Sequence, residues 1–493
     1  MPIRIVYRDV ALETDDKATV TASTATGFSD KAKIISGVET PAIATFEPNG
    51  WGVSHDYQTR KNQQFAFWSV TLSDAQCIFA NPPTITVSFT EQYTATGLSI
   101  RFAPNSGDYC KKINVVWYQG TTVKYTQTYT ADTTNFVINQ TVEAFDKIVF
   151  VFSETGLPRK RCKIEQILIG VIREFDAKEI KSFSSIHEVS LVSETIPINI
   201  MDAGIHSADN IDYIFQRKQE VKAYDGESLI GTYYIEKSKK LGSVDYTLSC
   251  QDAVGLLEKQ LQPGGLWLTD TALTTILSDI FGDTAIFNID SAYSDSTLRG
   301  YIEPNTTKRA ALQQIAFALG AVVDTSGTDK IKIFPPPVDY SASISTAKTY
   351  TGGNVEKSDT VTEVTVTAYI ISDERPGDND ESIEYNGVKY KYYTDTKHAL
   401  NPNTVSSDPE NKKKFDKMYL CNLSNAQTLA NNIMSYYQRR DKYNFRHVLD
   451  SQELSRKYSV KLPWGDLSSG NIIKMSVITS GITASDTEML LDE

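Results

Sequence analysis

Residues 219–259 read QEVKAYDGESLIGTYYIEKSKKLGSVDYTLSCQDAVGLLEK, and our prediction of the fold starts from this segment. Two strand-forming runs flank Asp225-Gly226, a dipeptide that supplies the positive backbone angles of a tight hairpin turn. A third run, Val244–Cys250, alternates apolar and polar residues with the period of a strand buried on one face. Asp252 then stands at the N-cap position ahead of the apolar residues 253–257. The stretch therefore predicts an antiparallel meander that is closed by a short amphipathic helix.

The residues upstream extend this β-region. Ile196, Ile198 and Ile200 alternate with other residues and predict one more strand. The segment Asp202–Asn210 is polar and predicts a loop that interrupts the strands. Because an isolated hairpin is only marginally stable, these strands together favour a small antiparallel barrel.

The chain is too long for one hydrophobic core. Its 493 residues include 26 Tyr and 20 Phe, which favour sheets over helices. We expect a mainly β, multidomain protein with an N-terminal β-sandwich, two β-barrels and a small α/β insert. The expected domains are residues 1–171 (sandwich with a leading strand), 172–262 (first barrel), 263–340 (α/β domain) and 341–493 (second barrel with an inserted helix and loops).

Six or more short strand signals between Thr45 and Val171 predict the sandwich. The segments Phe67–Ser69, Pro82–Phe89 and Gly97–Phe102, with residues 46–49, resemble those of discoidin-like or carbohydrate-binding-module sandwiches. Aromatic rings exposed at a sandwich rim can stack on sugars, whereas most aromatic rings pack in the core. The candidate glycan-stacking residues are Trp51, Trp68, Tyr93 and Tyr109.

Helix signals are concentrated in the second half of the chain. The clearest covers Thr307–Leu319, with apolar residues at helical spacing and Gly320 in position to end the helix. Strands are predicted at Ala321–Asp324 and Ile331–Phe334. A further helix is predicted to begin at Ser424, where Gln427 completes a capping-box pattern.

Charge and cysteine usage exclude several classes of protein. The net charge of -12 argues against a surface that grips nucleic acid, although acidity also serves solubility. The five cysteines form no CxxC pair, so we expect buried thiols in a protein made in a reducing cytosol. No apolar run is long enough to span a membrane, and the N-terminus has no secretory signal pattern, so we expect no membrane anchor.

No catalytic constellation is recognisable in the sequence. The five histidines lie far apart in the chain, and there is no HExxH, GxSxG, Walker A or GxGxxG motif. Cys110 could be imagined as a peptidase nucleophile, but its position within a strand pattern favours a buried structural thiol. We therefore expect that the protein is not an enzyme and that it has no metal site and no cofactor, although catalytic groups can converge from distant positions.

An ordered series of segments resembles the baseplate-hub or tail-tip hub proteins of phages of Gram-positive bacteria and phage-like particles. The series covers about residues 172–335, with a looser fit over the C-terminal β-region. Its segments are Ser193–Asn199, Val221–Tyr224, Ile230–Ile235, Tyr246–Leu257, Lys308–Ala316 with Gly320-Ala321, and Lys330–Ile333.

This resemblance implies a structural virion protein, made in the host cytoplasm and located in the tail. Three copies would form a homotrimer in which two hub-type barrels per chain join the hexameric tail tube to the threefold tip. The implied partners are the tail-tube or distal tail protein and a tail-tip or spike protein, and DNA would pass through the channel without specific binding. The sandwich could contact a host cell-wall glycan. The alternative is a secreted or virion-borne glycan-binding module, or a tail-associated cell-wall hydrolase.

Overall fold

A computed structural model describes most of the chain. The described residues divide between two compact units. The sandwich unit lies within Val6–Glu174, and the body unit comprises most of Phe175–Asn210 and Val221–Glu493. The residues that the structure describes are 3–8, 18–26, 29, 31, 33–36, 66–102, 108–170, 172–207, 219–282, 284, 286–378, 380–405, 407–450, 452–480 and 482–492.

Strands predominate over helices, which confirms the prediction of a mainly β, multidomain protein. The strands are β1 (Ile3–Arg8), β2 (Ala18–Ala22), β3 (Phe67–Leu72), β4 (Thr84–Ala95), β5 (Leu98–Phe102), β6 (Cys110–Gln119), β7 (Thr122–Thr130), β8 (Asn135–Ile138), β9 (Val142–Thr155), β10 (Arg161–Ile169), β11 (Ile172–Phe175), β12 (Ile180–Glu188), β13 (Ile200–His206), β14 (Glu220–Asp225), β15 (Ser228–Lys240), β16 (Asp245–Gln251), β17 (Gly265–Ala272), β18 (Phe287–Ile289), β19 (Thr297–Ile302), β20 (Val322–Asp324), β21 (Ile331–Phe334), β22 (Tyr340–Ser343), β23 (Asn354–Lys357), β24 (Glu363–Ile371), β25 (Ser382–Tyr385), β26 (Val388–Leu400), β27 (Lys412–Phe415), β28 (Asp441–Val448), β29 (Lys457–Lys461), β30 (Leu467–Ser480) and β31 (Ile482–Leu491).

The helices are short and few among the described residues. None of them is long and apolar enough to cross a membrane. They are α1 (Lys33–Ser36), α2 (Ala253–Glu258), α3 (Leu273–Phe281), α4 (Lys308–Leu319) and α5 (Ala426–Gln438).

The sandwich unit consists of two antiparallel sheets with one core between them. One sheet has the order β2-β4-β9-β6-β7 and the other β3-β10-β5-β8. In β4, Ile85 and Val87 alternate with less buried threonine and serine residues, so the apolar face of the strand lies in the core. Phe67 and Ile100 enter the same core from the other sheet. The unit therefore has the β-sandwich architecture that the regular strand spacing predicts.

A large antiparallel sheet forms the frame of the body unit. Its strands run in the order β14-β15-β16-β13-β12-β30-β31-β28-β23. The centre of this order is the pairing of β12 with β30, in which Ser184 lies opposite Ile478 and Glu188 opposite Lys474. One sheet thus joins the β-region before the α/β segment to the β-region after it.

The α/β segment lies between these two groups of strands in sequence. It contains the pair β17-β19 and the three-stranded sheet β18-β21-β20, and α3 and α4 share its apolar core. The Thr307 side chain caps α4 by accepting a hydrogen bond from the Ala310 N–H, and Gly320 ends the helix with φ 64° and ψ 32°. A further sheet, β25-β26-β24-β27, packs against α5.

Three local predictions are wrong. Ile196 and Ile198 precede β13 and belong to no strand, because Ile196 instead packs against the core of the α/β segment. The predicted loop Asp202–Asn210 is β-strand as far as His206, since Met201, Ala203 and Ile205 are buried at every second position, and residues 208–210 lie outside the described residues. Helix α5 begins at Ala426 rather than at Ser424. The Gln427 side chain donates to the His398 carbonyl instead of closing a capping box.

Candidate functional site

The four predicted glycan-stacking residues have different environments. Trp51 lies outside the described residues. Trp68 in β3 and Tyr93 in β4 are each only 8% exposed, whereas Tyr109, which precedes β6, is half-buried. The ring of Tyr93 packs edge-on against Phe89 with the ring centres 5.1 Å apart. Trp68 and Tyr93 belong to different sheets, so the structure does not gather the predicted residues on one face, and their role in glycan binding stays a prediction.

A buried ion cluster lies beside Trp68 in the sandwich unit. Asp108 Oδ2 is 3.1 Å from Lys163 Nζ and 3.4 Å from Lys160 Nζ, and all three side chains are almost completely buried. The Lys163 ammonium also lies 4.9 Å from the centre of the Trp68 ring, at cation-π distance. Asp108 Oδ1 has no hydrogen-bond partner among the described residues. Two buried cations therefore converge on one oxygen of a single carboxylate.

Strand pairing and one glycine position this cluster. Lys163 lies opposite Trp68 in the pairing of β10 with β3. The Lys160 N–H donates to Ser73 Oγ at 3.1 Å, which fixes the start of β10. Next to Asp108, the Tyr109 ring lies against Gly156, where an added Cβ would be 2.8 Å from the ring carbon Cζ. Close contact with Gly156 thus covers one part of the Tyr109 ring.

Sequence reasoning missed Asp108, Lys160 and Lys163. The two lysines occur in the run PRKRCK at residues 158–163, which has the composition of an exposed loop. Burial continues without alternation from Cys162 to Glu165, so the period-2 signal that marks a buried face is absent here. Cys110 and Cys162 are themselves buried, and burial raises the pKa of the Cys162 thiol well above its ordinary value. The structure therefore agrees with the interpretation of Cys110 as a structural thiol.

The body unit contains a second buried polar network, centred on His187 in β12. Its Nε2 lies 2.8 Å from the Tyr233 hydroxyl and 3.2 Å from Ser185 Oγ. Burial lowers the pKa of His187 to about 4, so the imidazole is neutral at neutral pH. Nδ1 has no hydrogen-bond partner among the described residues.

Asp252, the N-cap of α2, is the centre of a second group of hydrogen bonds in the body unit. Its Oδ1 accepts from the Gly255 N–H at 3.0 Å and its Oδ2 from the Thr325 hydroxyl at 2.6 Å. Asn199 Nδ2 donates in turn to Thr325 Oγ1 at 2.9 Å. Burial raises the pKa of Asp252 to about 6, although these hydrogen bonds act in the opposite direction. The network ties the turn after β20 to β16 and to the segment before β13.

A cavity of about 540 Å³ adjoins His187. Its wall combines apolar side chains such as Leu454 and Met475 with ionised ones such as Lys332 and Arg456. The cations are already paired, because Lys332 Nζ is 3.0 Å from Asp324 and Arg456 Nε is 3.1 Å from Glu453. Among the described residues, no cluster of three or more His, Cys, Asp or Glu side chains could hold a metal ion.

The outer strand β23 is one candidate for an assembly edge. Among the described strands it pairs only with β28, in a register that places Val355 opposite Tyr443. The N–H of Ser358, just beyond β23, donates to the Arg440 carbonyl at 2.9 Å. Because hydrogen bonds alternate along an antiparallel strand, the N–H of Lys357 points away from β28. An edge of this kind can pair with a strand of another chain.

Comparisons with known proteins give similarity to solved structures only. No protein family matches the sequence, and no curated protein matches it either. The tail protein from Neisseria meningitidis MC58 is 14% identical, with 65% of this chain and 94% of that chain covered and a TM-score of 0.45. Prophage tail protein gp18 from Listeria monocytogenes EGD-e is 10% identical, with 64% and 91% covered and a TM-score of 0.43. The 43 kDa tail protein of prophage MuSo2 from Shewanella oneidensis is 9% identical, with 62% and 93% covered and a TM-score of 0.42.

Proposed function

We propose that the chain is a structural protein of a phage or phage-like tail, and that three copies form the hub between the tail tube and the tail tip. The observation that carries this proposal is the antiparallel pairing of β12 with β30. Through it, two groups of strands that are separated by the α/β segment form one continuous sheet. The series of segments that resembles tail hub proteins includes strands of this sheet and the α/β segment.

The symmetry argument follows from that pairing. In this proposal each of the two groups of strands presents one edge to the ring, so three copies present six edges. Such a ring can match a hexameric tube on one side and a threefold tip on the other. The partners in this proposal are a second and a third copy of the chain, the tail-tube or distal tail protein, and a tail-tip or spike protein.

The acidic composition supports a channel through which DNA passes. A net charge of -12 gives a surface that repels phosphate groups on average. DNA that slides through a ring must not bind to its wall, and phosphate contacts dominate the affinity of proteins for DNA. In this proposal the hub lines the channel, binds no DNA specifically and has no catalytic role.

The oligomeric state tests the proposal. Mass photometry of the purified full chain should give a species of three times the chain mass, alone or with tail-tube protein. A chain that stays monomeric at high concentration and hydrolyses a glycan would contradict the hub and support the alternative of a cell-wall hydrolase.

For the sandwich unit we propose contact with cell-wall glycan. Tyr109 is the preferred candidate for this contact, because its ring is half-buried whereas the other described candidate rings are more buried. Tyr109 follows Asp108 in sequence, and its carbonyl accepts a hydrogen bond from the Gly156 N–H at 2.8 Å, which holds its backbone. Tyr109→Ala should reduce retardation of the protein on immobilised cell-wall glycan. Tyr118→Ala, in the same unit, is the matched control, and equal retardation of the wild type and Tyr109→Ala would refute the assignment.

A further inference from the structure

Two features of the body unit expose apolar side chains to solvent. The first, which we call the apolar tip, is the turn between β29 and β30 with Trp464 and Asp466, together with Leu467 at the start of β30. The second, which we call the apolar socket, is a small cavity of about 90 Å³ surrounded by the exposed side chains of Leu268, Ile370 and Leu423. Exposed apolar side chains that gather in one place commonly mark a contact surface.

The apolar tip is held in a defined turn. The Leu462 N–H donates to the Asp466 carbonyl at 2.8 Å, and the Gly465 N–H donates to the Leu462 carbonyl at 2.9 Å. Gly465 supplies the φ of 102° that this turn requires. As a result Trp464 is 60% exposed and Leu467 is 76% exposed. The carboxylate of Asp466 makes no ion pair within the described part of the chain.

The apolar socket is built from three segments that meet beside Gly300. They contribute Leu268 from β17, Ile370 from the end of β24 and Leu423 from the turn before α5. The backbone approaches closely at Gly300, where an added Cβ would lie 2.1 Å from the Tyr419 carbonyl oxygen. Arg299 lines the same cavity. Within the described ranges, its one ion pair is a long contact of 3.8 Å to the exposed Asp270.

Within one chain, the tip and the socket lie near opposite ends of α5. Helix α5 has 13 residues and is therefore about 20 Å long. The socket lies at its N-terminal end, where Leu423 precedes the helix. At the other end, the Arg439 side chain donates to the carbonyls of Leu490 and Leu491, which lie opposite Asn471 and Gly470 in β30. The tip therefore extends from the end of α5 that is remote from the socket.

We propose that the apolar tip of one copy packs against the apolar socket of the next copy around the ring. This inference rests on the proposed function and names the surface through which the copies contact each other. A tip and a socket at separate places on one chain make a heterologous contact, which closes into a ring when the rotation is right. The contact places the negative Asp466 beside the positive Arg299 and buries the Trp464 ring, the residue type that dominates many interfaces.

Crosslinking between two differently labelled copies tests the contact directly. In a Cys77→Ser background, copies that carry only Asp466→Cys are co-expressed with copies that carry only Arg299→Cys and are then oxidised. The mixture should form a disulfide-linked dimer, because each copy has one engineered thiol and the other native cysteines are buried. Neither variant alone should form the dimer. A dimer from the Asp466→Cys copies alone would indicate a tip-to-tip contact and would overturn the proposal.

Side-chain truncation supplies the second test. Trp464→Ser with Leu467→Ser should raise the concentration at which half of the chain is trimeric by about tenfold or more, since buried aromatic anchors carry much of the binding energy. Leu241→Ser, which removes a similarly exposed side chain from the turn between β15 and β16, should leave this concentration unchanged. If the wild type is trimeric and the double variant equally so, the contact is refuted and the hub stands. If the wild type stays monomeric at high concentration both alone and with tail-tube protein, both proposals fail.

Discussion

At the scale of single residues, the body unit holds two buried titratable groups whose pKa values are shifted in opposite directions. Burial lowers the pKa of His187 to about 4 and raises that of Asp252 to about 6. In both cases the folded state disfavours the charged form. The neighbouring charges are those of Asp324 and Lys332, which pair with each other at 3.0 Å. His187 and Asp252 therefore make opposite contributions to the pH dependence of the free energy of unfolding.

The sign of each contribution follows from proton linkage. The unfolded chain protonates its histidines near pH 6.5, so acidification from there toward pH 4 removes about 3 kcal/mol of stability through His187. The folded chain protonates Asp252 near pH 6, before the unfolded chain does near pH 4, so the same acidification adds about 3 kcal/mol. The two effects largely cancel in the wild type.

Single substitutions should separate these effects. Asp252→Asn keeps an N-cap side chain for α2 and removes the Asp252 titration, so its stability relative to the wild type should fall as the pH drops from 6 to 4. His187→Gln should show the opposite trend and gain stability relative to the wild type between pH 6.5 and 4. The measurement is the urea midpoint of each variant across this range. Parallel pH profiles for all three proteins would refute the assignment.

The Asp108 cluster gives a prediction for the sandwich unit. Asp108→Asn leaves the buried ammonium groups of Lys160 and Lys163 without a counter-charge, so we expect a loss of about 3–5 kcal/mol in the free energy of unfolding. Glu154→Gln breaks the partly exposed pair with Lys111 and should cost less than about 1 kcal/mol. Calorimetric unfolding of the full chain compares the two. A similar small loss for both variants would mean that the cluster is well solvated.

At the scale of elements, the end of α4 depends on one glycine. Gly320 has a left-handed backbone conformation, and an added Cβ would meet only Leu429 Cδ2 at an ordinary 3.4 Å. Gly320→Ala should therefore cost about 1–2 kcal/mol through backbone strain rather than through a clash. Gly320→Asn should cost less, because Asn tolerates this conformation. Urea unfolding of the variants measures both, and a neutral Gly320→Ala would show that the cap can relax.

Elements with strong local signals were predictable from the sequence. The turn at Asp225-Gly226 connects β14 and β15, Asp252 caps α2, and α4 runs from Lys308 to Leu319 before Gly320. Each of these rests on contacts within a few residues. The prediction of a strand at residues 196–198 was wrong, because alternating isoleucines also occur in a segment that pairs with no strand and packs against another element. The strand at Met201–Ile205 was missed because its polar residues suggested a loop, although its buried positions alternate.

The candidate sites were less predictable for a related reason. The partners Asp108 and Lys163 are 55 residues apart, and Asn199 and Thr325 are 126 apart. No local periodicity in the sequence predicts such contacts, and the residue type alone does not show whether a lysine is buried or exposed. The aromatic residues of the sandwich could be identified as a class from composition. Burial of Trp68 and Tyr93 depends on strand positions that composition does not specify.

At the scale of the whole molecule, the decisive contact is also non-local. Ser184 in β12 lies opposite Ile478 in β30, across almost the entire body unit in sequence. The sequence predicted two separate β-barrels around an α/β segment, whereas the pairing joins strands of both regions in one sheet. The domain boundaries at residues 171, 262 and 340 stay a prediction. If the body unit acts as one rigid frame, three copies can present a regular ring to neighbouring tail proteins.

Imaging of the assembled protein is the sharpest test of a trimeric hub. Two-dimensional class averages of the negatively stained full chain, viewed along the ring axis, should show threefold symmetry with six similar lobes around a central opening. Threefold particles with this opening would support a hub that passes DNA. Particles of single-chain size at the highest attainable concentration, or closed particles without a central opening, would contradict it.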